Sequence, residues 1–316
     1  MAPNPATDCV EPGRHLAPRI GLGRILAVML LHLLDATYEL FRAHFGFPGR
    51  QAPDGREIGA TFGIIETTLS LLREPNVTHM AAATDTVIRS FRNQLFDGYK
   101  TEIGMPPELL AQFPLAEEAL EALGVVTWKM LEFEADDAIA TAAFRFIDEV
   151  EQVVVCTPDK DMAQCVIGDD VVLYNRRQRS FMNEEGVIEK FGVAPESIPD
   201  YLALVGDTAD GVPGLAGWGA KSASAVLGRW RRLEQIPTKA GDWGVAVRSA
   251  EKLAETLRAN QQTVYLYRTL TTLRRDVPLA ENLPDLEWQG VKKEPFLELC
   301  DRWGFDDIHS RPHKWQ

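Results

Sequence analysis

The sequence has few cysteines, no long apolar run and no excess of basic residues. Its 316 residues include four cysteines, which lie far apart and form no Cys-x-x-Cys pair. This spacing argues against a disulfide framework and a structural zinc site, and it fits a reducing, cytoplasmic location. The strongest apolar run, residues 25–34, contains a histidine and is about half the roughly 20 residues that a membrane-spanning helix needs. We therefore expect no transmembrane helix and no membrane partner.

Acidic residues outnumber basic ones by 46 to 33, which gives a formal net charge of −13. Such a balance by itself counts against a nucleic-acid partner, because phosphate contacts need lysine and arginine. Nine of the acids stand in tight local groups, however, and without them 37 acids remain against 33 bases. The acidity of the chain is therefore concentrated in these groups. Whether the protein can bind nucleic acid depends on the local distribution of its charges, not on the net charge.

Short apolar runs of strand character alternate with stretches of helical periodicity in the first part of the chain. Four of these runs are closely followed by acidic residues: 29–34, 79–83, 125–130 and 153–157. Strands that alternate with helices predict an α/β fold with a parallel sheet and crossover helices. Ligands bind outside the carboxyl ends of the strands in such a sheet, so we expect the acidic groups to converge at one edge.

The nine clustered acids have the character of a metal site. They are Asp35, Asp85, Glu134, Asp136, Asp137, Asp159, Asp161, Asp207 and Asp210. Mutual repulsion in one partly dry cleft would be prohibitive without cations. Oxygen ligands without a His/Cys set favour two Mg²⁺ or Mn²⁺ ions, which can promote phosphodiester hydrolysis. Each group taken alone also fits a helix N-terminus, a cap or a turn, so the prediction depends on their joint occurrence.

Three basic or glycine-rich segments offer contacts for phosphate. Arg89 and Arg92 are three residues apart, so on a helix they share a face and can grip a phosphate, although a solvated helix face is an alternative. The glycine-rich turn at 214–222 predicts backbone N–H groups presented to phosphate at a helix N-terminus, although glycine also ends helices. It does not have the pattern of a nucleotide-binding loop, so no nucleotide cofactor is expected. The basic, hairpin-like patch at 174–179 either meets a duplex backbone or is simply solvated.

Near residue 197 the sequence pattern changes from alternating strands and helices to helices joined by a Gly/Pro loop. The predicted helices are 198–205, 221–230, 249–266 and 293–303. The prolines and glycines near the N-terminus, with little periodicity, predict a flexible tail. The predicted organisation is therefore a tail at 1–27, an α/β domain at 28–196 and a helical region at 197–316.

In this order along the chain, the motifs closely resemble the 5′-nuclease, or flap endonuclease, superfamily, specifically the 5′→3′ exonuclease domain of bacterial DNA polymerase I. The matching stretches are Leu34-Asp35, Leu40-Phe41-Arg42-Ala43, Asp85 with Ser90-Phe91-Arg92, Tyr99-Lys100, Phe133-Glu134-Ala135-Asp136-Asp137, Thr157-Pro158-Asp159-Lys160-Asp161, and Gly206-Asp207 through Asp210 to Pro213-Gly214. The resemblance implies a PIN-like α/β sheet, a helical arch near 86–118 and a helix-three-turn-helix region that binds duplex DNA.

The resemblance also implies roles for individual residues. All nine carboxylates match metal-ligand positions, with Asp35, Asp85, Glu134 and Asp136 in a first group, Asp159, Asp161, Asp207 and Asp210 in a second, and Asp137 between them. Lys100 and Arg92 match residues that contact the scissile phosphate, and Arg42 and Arg89 are further expected DNA contacts. Gly217, Gly219, Lys221 and Ser222 match a turn that holds a backbone phosphate, often through K⁺.

One departure concerns the arch, where the family sequence Tyr-Lys-x-x-Arg has Ile103 in place of the arginine. The chain ends at Gln316 without a polymerase domain, so the expectation is a stand-alone exonuclease. We predict a Mg²⁺-dependent nuclease acting on 5′ ends, flaps and branched duplex DNA, with 5′-phosphate products. A PIN-type ribonuclease is disfavoured because such domains typically use fewer carboxylates and lack the 206–227 element. The full carboxylate set argues against a catalytically weak DNA-structure-binding module.

Overall fold

The computed structural model describes residues 29–316. The predicted flexible tail at 1–27 lies outside the described residues. Within the described part of the chain, no helix is both long and apolar enough to cross a membrane.

A six-stranded sheet in the order β3-β2-β1-β4-β5-β6 forms the centre of the first part of the chain. The strands are β1 Leu30–Asp35, β2 His79–Asp85, β3 Val126–Met130, β4 Gln152–Cys156, β5 Val171–Asn175 and β6 Ser180–Met182. The first five strands are parallel, and β6 pairs with β5 in an antiparallel hairpin. Strand order reverses between β1 and β4, which places a ligand crevice at their carboxyl ends.

Twelve α-helices surround and extend this sheet in the described residues. They are α1 Ala36–Gly46, α2 Gly59–Leu72, α3 Arg92–Leu95, α4 Pro107–Leu110, α5 Phe113–Ala122, α6 Ala135–Phe146, α7 Glu184–Phe191, α8 Ile198–Val205, α9 Ala220–Trp230, α10 Ala250–Ala259, α11 Gln261–Thr271 and α12 Lys293–Trp303. One face of the sheet packs on α6, and α8, α9 and α11 belong to the same hydrophobic cluster. The cluster on the other face includes α1, α2 and α5. The last helix, α12, returns to pack against α5.

The segment 86–118, where the resemblance implies a helical arch, contains the four-residue helices α3 and α4 and the start of α5. Gly98, Gly104 and Pro106 disfavour helix in the loop between α3 and α4. The arch itself stays a prediction, whereas one predicted helix differs from the structure. The single helix predicted at 249–266 is interrupted at Asn260, which has φ −120° and donates a side-chain hydrogen bond to the Thr256 carbonyl. The polypeptide therefore turns between α10 and α11.

Candidate active site

The carboxyl ends of β1 and β2 place two buried acids at one edge of the sheet. Asp35 ends β1 and accepts hydrogen bonds from the Tyr38 amide and the Thr157 hydroxyl, each at 2.8 Å. Asp85 ends β2, and its carboxylate accepts from the Ala135 amide at 2.6 Å, which ties it to the start of α6. Burial, with the nearby Asp159 and Asp85 charges, raises the pKa of Asp35 to about 7. Burial likewise raises the pKa of Asp85 to about 6.

Two further acids, Asp136 and Asp159, lie with this pair. The group therefore has Asp159 where the resemblance implies Glu134, whose carboxylate is instead paired with Lys100 and Arg92. Asp136 lies half-buried in the first turn of α6, and burial, then the charges of Asp35 and Asp159, raise its pKa well above the usual value. Asp159 follows β4 and is exposed, and its carboxylate accepts a hydrogen bond from the Asp161 amide at 3.0 Å. The predicted convergence of acids after β1, β2 and β4 is therefore present in the structure.

A second group brings together Asp161, Asp207 and Asp210, whose carboxylate oxygens lie within 4.8 Å of one another. Asp161 begins a 3₁₀ turn after β4, and the other two lie in the loop that follows α8. Oδ1 of Asp161 is buried and accepts no hydrogen bond from the described residues. Burial and the three neighbouring aspartates raise the pKa of Asp161 well above its usual value. An unpartnered buried oxygen among three carboxylates fits an oxygen-ligated divalent cation.

Two lysines supply positive charge around these acids. The ammonium of Lys100 lies 2.9 Å from Glu134 Oε2 and 3.1 Å from Asp210 Oδ1, so it links the second group to Glu134, the acid that precedes α6. Burial alone would raise the pKa of Glu134, but Lys100 and Arg92 hold it below its usual value. Lys160 pairs with Asp207 at 2.7 Å and, against the effect of burial, lowers the pKa of that carboxyl. Two lysine side chains are therefore held by ion pairs at the acidic edge of the sheet.

The structure corrects the expected roles of Arg92 and Asp137. Their side chains are only 1% and 0% exposed and form a two-pronged ion pair, with both N–O distances at 2.7 Å. Asp137 also accepts hydrogen bonds from the Glu134 and Arg274 amides, so both of its oxygens are occupied. Arg92 donates further to the carbonyl of Leu270. The resemblance implies a metal ligand at Asp137 and a phosphate contact at Arg92. The structure instead shows the two side chains in a buried ion pair.

The other two arginines expected to contact DNA are held by neighbouring acids. Arg42 bonds to Glu39, with Nε 3.0 Å from the carboxylate, and Arg89 bonds to Glu102 at the same distance. Arg89 precedes α3 rather than lying on it, so it does not share a helix face with Arg92. Their DNA contacts remain predictions.

An open groove of about 680 Å³ lies at the start of α9. One wall contains the predicted residues Gly217, Gly219, Lys221 and Ser222, and the other contains Arg248, Ser249 and Lys252. The two predicted glycines and serine form a compact turn, in which Ser222 Oγ accepts from the Gly219 amide at 3.0 Å. Three exposed cations, Lys221, Arg248 and Lys252, border the groove, and none forms an ion pair within residues 29–316.

Sequence reasoning missed Arg248 and Lys252. They stand about 30 residues beyond the glycine-rich turn, with no local motif. Arg248 and Lys252 line the same groove as the glycine-rich turn only because the start of α10 packs beside that turn in the folded chain.

Comparisons with known proteins cover both parts of the chain. A family model described as "5'-3' exonuclease, N-terminal resolvase-like domain" matches residues 30–192, and one described as "5'-3' exonuclease, C-terminal SAM fold" matches 193–294. DNA polymerase I of Mycobacterium tuberculosis is 36% identical over 287 residues, which are 89% of this chain and 30% of that protein. The chain thus spans about a third of the length of this relative.

A shorter relative matches along nearly its whole length. The 5'-3' exonuclease of Aquifex aeolicus is 31% identical over 278 residues, which are 86% of this chain and 95% of that protein. The solved structure of the T5 5'-exonuclease has the same fold, with a TM-score of 0.62 at 18% identity over 77% of this chain and 89% of its own. The predicted α/β fold with a helical second part is confirmed. The chain belongs to the 5'-3' exonuclease family.

Proposed function

We propose that the protein hydrolyses DNA phosphodiesters at 5′ ends, flaps and branched duplexes with two Mg²⁺ or Mn²⁺ ions, leaving 5′-phosphate products. The observation that carries this proposal is the cluster of Asp161, Asp207 and Asp210, with one buried oxygen unpartnered in the described chain, beside a second acidic group. A solved structure of the T5 5'-exonuclease holds zinc ions, and one of the T5 D15 flap endonuclease is a complex with DNA and metal ions. These structures support metal ions as cofactors and DNA as the partner.

Each acidic group would hold one ion. Asp161, Asp207 and Asp210 form one donor set, and Asp35, Asp85, Asp136 and Asp159 form the other. When bound, such ions promote attack by water and stabilise the leaving oxygen in phosphodiester hydrolysis. The carboxylates of this chain would fix the positions of the ions, and burial excludes competing water from Asp35 and Asp161.

Lys100 and the glycine-rich turn act on the substrate. The Lys100 side chain is 22% exposed and lies between Glu134 and Asp210, so its ammonium is placed to offset charge on a phosphate entering between the acidic groups. The turn at 217–222 would hold a phosphate of the duplex, with K⁺ as a bridging ion. These contacts read backbone and shape rather than base sequence.

The test is cleavage of a 5′-labelled flap duplex, a matched single strand and their RNA counterparts, with Mg²⁺ or with EDTA. We expect Mg²⁺-dependent cutting of the DNA flap near its junction and little cutting of RNA. Faster cutting of RNA would favour a PIN-type ribonuclease. Tight flap binding without cutting would favour a DNA-structure-binding module and would contradict the proposal.

The basic groove gives a prediction about DNA affinity. Lys252→Glu should weaken duplex binding about tenfold at moderate salt, because a phosphate contact becomes a repulsion. The slope of log affinity against log salt should also become shallower by about 0.9. Lys293→Glu on α12 makes the same charge change at an exposed site outside the groove and serves as the control. Equal loss of affinity in both variants would show a general charge effect instead of a groove contact.

Stabilisation by Mg²⁺ should depend on pH. Folding raises the pKa of Asp35 from 3.8 to about 7 and that of Asp85 to about 6, so these acids stay protonated in the fold near pH 5. As pH rises through these values they ionise, repel one another and destabilise the metal-free fold, whereas a bound cation compensates them. The Tm difference between Mg²⁺ and EDTA should therefore grow by about 3 °C or more from about pH 5.5 to about pH 8. A constant difference would contradict the site.

A further inference from the structure

Gln164 is a buried amide that connects the acidic cleft with the helical part of the chain. Its Nε2 donates to the main-chain carbonyls of Asp161 at 3.0 Å and Thr271 at 2.9 Å. Its Oε1 accepts from the Leu273 amide at 3.0 Å. The side chain therefore joins the turn that carries Asp161 to the polypeptide that follows α11.

That polypeptide is fixed to the cleft at several other points. The Arg274 amide donates to Asp137 in the first turn of α6, and the Val277 amide donates to the Thr141 hydroxyl farther along the same helix. The end of α11 and the polypeptide after it, residues 270–277, thus lie across the N-terminal half of α6 and the 161–165 turn; we call them the crossing segment. Because α11 also packs on α8, the crossing segment and the loop with Asp207 and Asp210 belong to one packed unit.

Asp161 needs such an anchor. Its Oδ1 accepts no hydrogen bond from the described residues, and its nearest charged neighbours include Asp207 and Asp210, which repel it. The position of its carboxylate therefore depends on how the main chain of the 161–165 turn is held. The Gln164 side chain bonds this turn to the crossing segment. Its amide nitrogen donates to the Asp161 and Thr271 carbonyls, and its amide oxygen accepts from the Leu273 amide.

We propose that Gln164 is a positioning residue that uses the crossing segment to set Asp161 for metal binding. The proposal rests on the metal site of the proposed function. Removing groups that orient metal ligands typically lowers metal affinity about 10-fold to 100-fold, although those groups never touch the ion. Gln164 likewise would not touch the ion, but it holds the main chain of Asp161 by a hydrogen bond to its carbonyl.

The variant that tests this role is Gln164→Met, which keeps the length of the side chain and removes all three hydrogen bonds. Titration calorimetry with Mn²⁺ and no DNA should give a dissociation constant about tenfold higher than in the wild-type protein. The Mg²⁺ concentration for half-maximal DNA cleavage should rise similarly, with turnover recovering at saturating Mg²⁺. A variant that only folds less well loses activity at every Mg²⁺ concentration without shifting the midpoint.

Gln112 provides a matched control. It is a fully buried glutamine that accepts from the Thr61 amide and hydroxyl and donates to the Glu108 carbonyl, so it also makes three hydrogen bonds. Gln112→Met should lower the Tm about as much as Gln164→Met but leave the Mn²⁺ affinity within about twofold. If Gln164→Met does not fold, Gln164→Asn, which keeps the amide but is one methylene shorter, should give the same ordering.

The outcomes separate this role from the proposed function. Wild-type Mn²⁺ affinity in a folded Gln164 variant would overturn the positioning role and leave the nuclease intact. Wild-type protein that binds no Mn²⁺ would contradict both the metal site and the role of Gln164. If the wild-type protein binds Mn²⁺ but cuts no DNA, and Gln164→Met weakens that binding, the positioning role of Gln164 would be supported and the proposed function contradicted.

Discussion

Replacing Asp161 by asparagine should lower the turnover of DNA cleavage by about a thousandfold or more, which corresponds to about 4 kcal/mol of transition-state stabilisation. The carboxylate lies within 4.8 Å of those of Asp207 and Asp210, and asparagine keeps its shape while removing its charge. Flap binding measured in EDTA should stay within about threefold, because the groove beside α9 is unchanged. Loss of turnover without loss of binding would place Asp161 in the chemistry.

The same variant should make the metal-free protein more stable. Burial and neighbouring aspartates raise the pKa of Asp161, so its ionised form destabilises the fold, and a neutral amide removes that repulsion. In EDTA the Tm should therefore rise, while the gain on adding Mg²⁺ should shrink. Asp170→Asn removes a charge at an exposed turn and should change neither quantity measurably. Undiminished cleavage by Asp161→Asn would contradict the metal assignment.

The acidic edge of the sheet could be predicted because buried parallel strands appear in the sequence as continuous apolar runs. The run at 79–83 lies within β2, which ends at Asp85, and the run at 29–34 overlaps β1, which ends at Asp35. Acids that follow such runs must meet at the carboxyl edge, whatever the details of the loops. Helices α8 and α12 were predicted to the residue for a similar reason, since each has a regular apolar face and a distinct end.

Pairings between distant segments could not be predicted in this way. Arg89 and Arg92 have the same charge and lie three residues apart, yet the Arg89 side chain is 52% exposed and that of Arg92 only 1%. What separates them is Asp137, 45 residues away, and the Leu270 carbonyl, 178 residues away. A family motif records that an arginine stands at a position but not whether its guanidinium faces the substrate or the interior. The basic wall formed by Arg248 and Lys252 was missed for the same reason.

Replacing Arg92 by methionine should destabilise the protein by about 3–5 kcal/mol, because it leaves the buried Asp137 carboxylate without its partner. The guanidinium also donates to the Leu270 and Thr272 carbonyls, so its loss leaves main-chain acceptors of the crossing segment unpaired. Urea unfolding in EDTA measures the difference. Arg89→Met removes an exposed ion pair with Glu102 and should cost at most about 1 kcal/mol, which makes it the matched control.

A double variant separates a structural role of Arg92 from contact with the scissile phosphate. Asp137→Asn removes the charge that Arg92 compensates, so adding it to Arg92→Met should restore part of the lost stability, although each single change destabilises the fold. A phosphate contact predicts the opposite pattern, in which Arg92→Met lowers turnover at unchanged stability and Asp137→Asn brings no recovery. Because the arginine is buried between α6 and the crossing segment, we expect recovery of stability, and turnover in the double variant should follow the folded fraction.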